Sequence, residues 1–262
     1  MSLLIDHMVA AALAAGAEIK AIYGAGCAVE TKADGSVVTE ADHRAEAIIL
    51  KMLGEHYPDI PVVAEEEACA GRIPAVGRQF FLVDPLDGTR GFVNRTGEFT
   101  VNIALVEEGI ATAGVIYAPD SQLLYYGEAG EGAYRSIGGG AAERISVRSP
   151  PPEGLTVLTS RTTSRETRDA LAQWRIAHFL PSSSALKFCL VAEGSADVYT
   201  RFGQTMEWDT AAGQAIVEAA GGEVSELSGL TELGRLRYGN ADKGFFNPHF
   251  IAWGRRDPNG TM

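Results

Sequence analysis

A chain of 262 residues with 46% hydrophobic and 21% charged residues buries a large core, as one layered unit or two modest domains, and falls outside the disordered class. Its formal net charge of −12 excludes nonspecific binding to a nucleic-acid backbone, so a phosphorylated ligand must be met by locally bound cations and a few placed basic residues. Cys27, Cys69 and Cys189 are odd in number and show no metal or redox spacing, which reads as reduced, small core residues of a cytosolic protein.

Residues 3–22 fit one amphipathic, alanine-rich helix ending near Gly24 and Gly26. The segment lacks the basic flank and cleavage pattern of a signal peptide. No stretch reads as a membrane span of about twenty apolar residues, so the expected location is the cytoplasm, with no transmembrane segment. A polar, hairpin-like stretch follows, with a loop between Lys32 and Val38 that contains Asp34-Gly35-Ser36. Thr39 opens a second helix. Asp42, three residues on, imitates a capping box, and Ala41, Ala45, Ile48, Ile49, Met52 and Leu53 form the apolar stripe. Strands are expected at 61–64, 80–83, 99–105, 110–117 and 123–126, with Glu107-Glu108-Gly109 turning a hairpin, giving an antiparallel-looking sheet with helices to one side. Pro150-Pro151-Pro152 breaks the chain into subdomains at 1–149 and 150–262. Beyond it come a strand at 155–159, helices at 165–174 and 185–193, a strand at 196–201, and a helix at 209–220 stopped by Gly221-Gly222.

Two blocks carry the chemistry. One is Asp84-Pro85-Leu86-Asp87-Gly88-Thr89, after the apolar run Phe80-Phe81-Leu82-Val83; the other is Trp208-Asp209-Thr210-Ala211-Ala212-Gly213, opening an apolar-periodic segment. Clustered carboxylate oxygens hold hard divalent cations, and paired cations cleave phosphate monoesters. Each motif alone also has a plain structural reading. Glu65-Glu66-Glu67 reads as a solvated charge run, Asp84 and Asp87 as turn residues bonding their own backbone, and Asp42 as a first-turn acid favoured by the helix dipole. The glutamate run, however, directly follows Val62-Val63-Ala64, at a strand end, where active-site groups collect in layered α/β folds. His7, His43, His56, His178 and His249 stand singly. No Ser-His-Asp order or nucleophilic cysteine context is present, so direct attack by water is favoured over covalent catalysis.

Taken together, the acidic pair at Glu65-Glu66, the D-P-L-D-G-T block and the W-D-T-A-A-G block resemble the inositol monophosphatase superfamily of lithium-sensitive, magnesium-dependent phosphatases, over nearly the whole chain to Asn247-Pro248. The stretches G-E-F-T-V-N-I-A-L at 97–105 and S-S-A-L-K-F-C-L-V-A-E-G at 183–194 look like its 3′(2′),5′-bisphosphate nucleotidase branch. Arg90-Gly91 and Lys187 stand where inositol-directed relatives usually carry a threonine-asparagine pair and lack the lysine. One departure is Gly91, where the bacterial nucleotidases usually carry glutamate.

The resemblance implies a layered α/β fold, an αβαβα sugar-phosphatase sandwich with an antiparallel-sheet, metal-binding N-terminal half and an α/β, substrate-binding C-terminal half. It implies two or three Mg²⁺ held by Glu65, Asp84, Asp87, Asp209 and the carbonyl of Leu86. Thr89, paired with Asp42, would orient or deprotonate the attacking water, with Glu65 and Asp87 also in the catalytic set and the N–H groups of Gly88 and Thr89 on the phosphate. Substrate would touch Leu86, Asp87, Gly88, Thr89, Ser184, Lys187, Arg201 and Asp209. Without the resemblance, Lys187 reads as a snorkelling helix-flank residue and Arg201 as a strand-end surface residue. The implied activity is removal of the 3′-phosphate of adenosine 3′,5′-bisphosphate, giving AMP and phosphate, in sulfur metabolism. The alternatives are an inositol monophosphatase or related sugar-phosphate phosphatase, and a noncatalytic metal or nucleotide sensor on the same fold. The expected partner is a small phosphorylated molecule and not a nucleic-acid polymer; the sequence does not specify an oligomer.

Overall fold

The structure is a computed structural model and describes residues 2–25, 29–31, 37–159, 167, 171–172, 174–183 and 185–256. Helix α1 (Leu3–Ala25) buries Ile5, Met8, Ala12, Ala15 and Ile19 along one face and packs against α2 (Glu40–His56). By length and a mean hydropathy of 1.3, α1 would suffice to cross a membrane, which the sequence reading did not expect; its one-sided burial against α2 and a sheet is that of a core helix. Between the two helices, β1 (Val29–Thr31) and β2 (Val37–Thr39) pair antiparallel, as the hairpin reading expects. Residues 32–36 of the expected loop lie outside the described residues. Thr39 caps α2: its hydroxyl accepts the Ala41 N–H at 3.2 Å, and Asp42 Oδ2 accepts the Thr39 N–H at 2.8 Å.

Seven strands form the first sheet in chain order: β3 (Val62–Ala64), β4 (Gln79–Asp87), β5 (Thr100–Glu107), β6 (Ile110–Ala118), β7 (Leu123–Glu128), β8 (Gly132–Ile137) and β9 (Glu143–Ile145). All neighbours are antiparallel except β3 and β4, which are parallel. Phe81, Val83, Ile103 and Leu105 point toward α1 and α2, while Phe80, Leu82, Ala104 and Val106 point the other way. Strands apolar on both faces need cover on both faces. The expectation of helices on one side therefore fails: α5 (Leu186–Ala192) and α6 (Glu207–Ala219) lie on the opposite face, α6 against β5 and β6. Gly213 of the W-D-T-A-A-G block lets these two helices meet, since a Cβ there would stand 2.3 Å from the Phe188 ring.

The second sheet has the order β11-β10-β12-β15-β13-β14, built from β10 (Leu155–Thr159), β11 (Ile176–Pro181), β12 (Val198–Arg201), β13 (Glu223–Ser228), β14 (Thr231–Arg235) and β15 (His249–Trp253). Its β10, β11 and β12 are parallel and the remainder antiparallel. α5 and α6 are sandwiched between the sheets: Phe188, Val191 and Ile216 share one core with Phe80 and Leu82 below and Tyr199 and Phe250 above. The outer face carries Val157, Val198, Ile251 and Trp253 with Leu171; most of the helix expected at 165–174 lies outside the described residues. Among the described residues the layers thus run α, β, α, β from α1 outward, and most of the segment expected to supply the second outer helical layer of the αβαβα sandwich lies outside them. Cys189 is buried in the core, but Cys69 is exposed at the end of the short helix α3 (Glu65–Cys69), against the reading of all three cysteines as core residues, and Cys27 is outside the described residues.

Candidate active site

Because β3 and β4 run parallel, the residues that follow them emerge at the same edge of the sheet, Glu65 after β3 and Asp84 and Asp87 at the end of β4. A register shift between Asp84 and Asp87 breaks the ladder with β5, and Gly88 (φ 90°, ψ 34°) takes the left-handed conformation that turns the strand into α4 (Thr89–Val93). Asp209 joins them from the first turn of α6, where its Oδ2 accepts the Met206 N–H at 2.8 Å. That helix start is fixed by Glu207, which accepts the N–H groups of Gly239 and Asn240 at 2.7 and 3.0 Å. The plain turn reading holds for Asp84, whose Oδ1 accepts the Leu86 N–H at 3.0 Å. It does not hold for Asp87, whose Oδ2 reaches across the fold to the Ala185 N–H at 2.7 Å.

The acids lie within one another's electrostatic fields. Burial holds Asp84 well above the usual carboxylate range, and the charges of Glu65, Asp87 and Asp209 push it further. Asp209 is raised in the same way, by burial and then by Asp87 and Glu65. Asp87 is raised by burial, with Lys187 and the Ala185 N–H opposing. Beside this group, the Thr89 hydroxyl lies 3.2 Å from Asp42 Oδ1 and 3.1 Å from the Leu86 carbonyl oxygen. Asp42 spends its other oxygen on the helix cap, which leaves Oδ1 to Thr89; burial raises its carboxyl against the Thr39 bonds.

A cleft of about 440 Å³ opens beside the acids, lined by Asp87, Asp209, Lys187, Arg201, Tyr199 and Glu98 among others. Lys187 is 4% exposed, its ammonium nitrogen 5.1 Å from the centre of the Tyr199 ring. Burial brings it down to about 8, with Asp87 opposing and Arg201 adding to the fall. Arg201 keeps its Nε buried without a hydrogen-bond partner among the described residues. Ser184, expected on the substrate side, lies outside the described residues.

Sequence reasoning missed two supports. Glu46, one turn after Asp42 on α2, is buried and accepts the N–H groups of Glu66 and Glu67 at 2.7 and 3.0 Å, which anchors the glutamate run; burial pushes it up to about 7. An acid beside the apolar stripe of α2 was its signal. Asn102, a lone amide in the apolar run of β5, is buried beside Asp87 and draws that carboxyl down against the effect of burial.

The donors gathered here, carboxylates and the Leu86 carbonyl, are all oxygen and suit a hard divalent ion. No three acidic, histidine or cysteine side chains among the described residues already stand around one point at ligating distance. A bound cation would offset the mutual repulsion of such buried carboxylates. A stability effect follows. With folded pKa values raised above the unfolded ones, the folded protein holds protons that the unfolded chain has lost, so metal-free stability falls as pH rises out of the usual carboxylate range. Asp84→Asn keeps an amide oxygen for the Leu86 N–H and carries no charge. In excess chelator at about pH 7–8 it is expected to raise Tm by about 2–4 °C, the response of a chain near this size to about 1 kcal/mol, with the gain vanishing toward acid pH. A lowered Tm in thermal unfolding would show that Asp84 stabilises the metal-free fold.

Two stacked sheets with an acidic cluster at one strand edge, a hydroxyl–carboxylate pair beside it and a cleft that bears Lys187 and Arg201 make the framework of a phosphomonoesterase. The model of the inositol monophosphatase family matches residues 1–249, and the chain belongs to that family. It is 43% identical to the 3′(2′),5′-bisphosphate nucleotidase CysQ of Salmonella typhimurium, over 90% of this chain and 94% of that one. Among solved structures it is similar to CysQ of Bacteroides thetaiotaomicron, at a TM-score of 0.78 and 36% identity, covering 96% of this chain and 97% of the other. It is also similar to an inositol monophosphatase from Anabaena, at a TM-score of 0.70 and 27% identity, covering 95% and 89%. The chain is a phosphatase of this family, and its resemblance to the bisphosphate nucleotidase branch extends over nearly its whole length.

Proposed function

We propose that this protein is a cytoplasmic, magnesium-dependent phosphomonoesterase that hydrolyses the 3′-phosphate of adenosine 3′,5′-bisphosphate to AMP and phosphate. The observation that carries the reading is that Glu65, Asp84, Asp87 and Asp209 lie within one another's fields, with Asp87 and Asp209 lining a cleft that also bears Lys187 and Arg201. The carboxylates and the Leu86 carbonyl would hold the Mg²⁺ ions, which when bound supply charge for the phosphate and its departing oxygen and acidify water. The Thr89 hydroxyl, held by Asp42, orients the attacking water toward phosphorus, and Asp42 takes its proton through that hydroxyl. A carboxyl raised by burial is the better proton acceptor. Gly88 and Thr89 lend main-chain N–H groups to the phosphate, and Lys187 and Arg201 meet the 5′-phosphate. An oxygen-only site of this kind is also expected to be inhibited by Li⁺.

The nucleotidase reading is favoured over an inositol phosphatase because a nucleoside bisphosphate presents a second phosphate that an inositol monophosphate lacks, and only a fixed cation can reward it. Losing a charge-assisted phosphate contact costs roughly 1.5–3 kcal/mol, or about ten- to a hundredfold. Lys187→Ala is therefore expected to lower kcat/KM for adenosine 3′,5′-bisphosphate by that factor and to leave inositol 1-phosphate far less affected. Equal losses on both substrates would remove the reason for the nucleotidase reading.

A further inference from the structure

Glu98 lines the cleft but has no part in the chemistry above. A carboxylate facing a phosphorylated substrate repels it, so its presence calls for a compensating role. Glu98 lies just before β5, and its side chain accepts the hydroxyl hydrogen of Ser183, joining segments 85 residues apart in the chain. Ser183 follows β11, and the Ser182 carbonyl oxygen beside it lies 3.5 Å from the ammonium nitrogen of Lys187 at the start of α5. A second tie to the first sheet is the Ala185 N–H on Asp87, a carboxylate that the proposed chemistry also assigns to metal.

The backbone of Glu98 is itself set by close approach. A Cβ at Gly91 would stand 2.7 Å from the Glu98 carbonyl oxygen and 3.0 Å from Thr96 Oγ1. The Thr96 N–H and hydroxyl both donate to the Gly91 carbonyl, at 3.0 and 3.3 Å. The missing side chain at 91 thus lets the 96–98 segment close onto α4. The glutamate expected at this position from the nucleotidase branch would not fit here without moving that segment.

We infer that Glu98 is a positioning residue for specificity: through Ser183 it latches the Ser182-Ser183 segment across the cleft and so holds the Lys187 ammonium where it meets the substrate's second anionic group, and Gly91 is the position that admits the latch. This rests on the bisphosphate reading above. The test is steady-state kinetics of Glu98→Ala, Glu98→Gln, Ser183→Ala, Gly91→Ala and the Glu98→Ala/Ser183→Ala pair, with a nucleoside 3′,5′-bisphosphate and with inositol 1-phosphate. Glu98→Ala, Ser183→Ala and Gly91→Ala are each expected to raise KM for the bisphosphate about tenfold, with kcat and the KM for inositol 1-phosphate moving less than about threefold. The double variant is expected to match the worse single one, since both remove one bond. Glu98→Gln, which keeps an acceptor for the Ser183 hydroxyl, is expected to return KM to within about threefold of wild type.

An unchanged KM in Ser183→Ala, which removes one hydroxyl and leaves the fold, overturns the latch. So does a Glu98→Gln variant as impaired as Glu98→Ala, or equal losses on both substrates. A wild-type preference for the bisphosphate that is lost in Lys187→Ala and untouched by Glu98→Ala overturns this inference alone. Absence of any wild-type preference overturns the nucleotidase reading and this inference with it.

Discussion

Asp87→Asn is expected to reduce turnover by about 10²–10³-fold or more, the scale set by removing one preorganised electrostatic partner of a transition state, while the protein stays folded. Asp87 sits where β4 ends and the left-handed Gly88 begins, within the field of Asp209, Glu65 and Lys187. An asparagine has the same shape and retains an oxygen for the Ala185 N–H, so the tie to α5 survives. It removes the negative charge that a bound cation needs, and it also removes a buried, repelled carboxylate, so Tm of the metal-free protein should not fall. Thermal unfolding and phosphate release measured on the same sample separate the two effects. Retained activity in a folded variant would take Asp87 out of the metal set, whereas loss of activity together with loss of the fold would assign it a structural role.

Thr89→Ala is expected to lower kcat by about 10²–10⁴-fold, the usual contribution of positioned proton transfer, with KM changed little. The hydroxyl is placed by Asp42 and by the Leu86 carbonyl, and neither contact depends on substrate. Thr89→Ser keeps the hydroxyl and is expected to recover most of the rate. A rise in KM alone would make Thr89 a substrate contact and not part of the water-activating pair.

Much of the site was legible because its parts are local. The capping box that places Asp42 lies within four residues, 39–42, and the turn that ends β4 is written in D-P-L-D-G-T. A run of acids after a short apolar strand marks a strand end. What the sequence left open is the long-range closure. Nothing near Asp87 announces Ala185 as its partner, nor does Glu98 announce Ser183, because these bonds depend on how α5 is carried between the two sheets. Periodicity showed that residues 209–220 form a helix without saying which face of which sheet it covers. The doubly apolar strands β4 and β5, Phe80 and Leu82 against Phe81 and Val83, held that answer and were read as one-sided. Strands β8, β9, β11, β13, β14 and β15 were missed; β9, β11 and β14 are short or largely exposed, and polar residues break the alternation of β8 and β13. Glu46 was passed over because an acid on a helix is ordinarily solvated, and only the fold turns it inward to the N–H groups of Glu66 and Glu67.

The central claim, that the acidic cluster serves cation-dependent hydrolysis of a nucleoside bisphosphate, is met most directly by kcat/KM for phosphate release from adenosine 3′,5′-bisphosphate and from inositol 1-phosphate. Each is measured on dialysed protein in excess chelator and again after Mg²⁺ is restored. The account predicts negligible turnover in chelator and, with Mg²⁺, AMP as the product and a preference for the bisphosphate of about tenfold or more, the worth of one charge-assisted contact. Full activity in chelator, or a preference for inositol 1-phosphate, would contradict it.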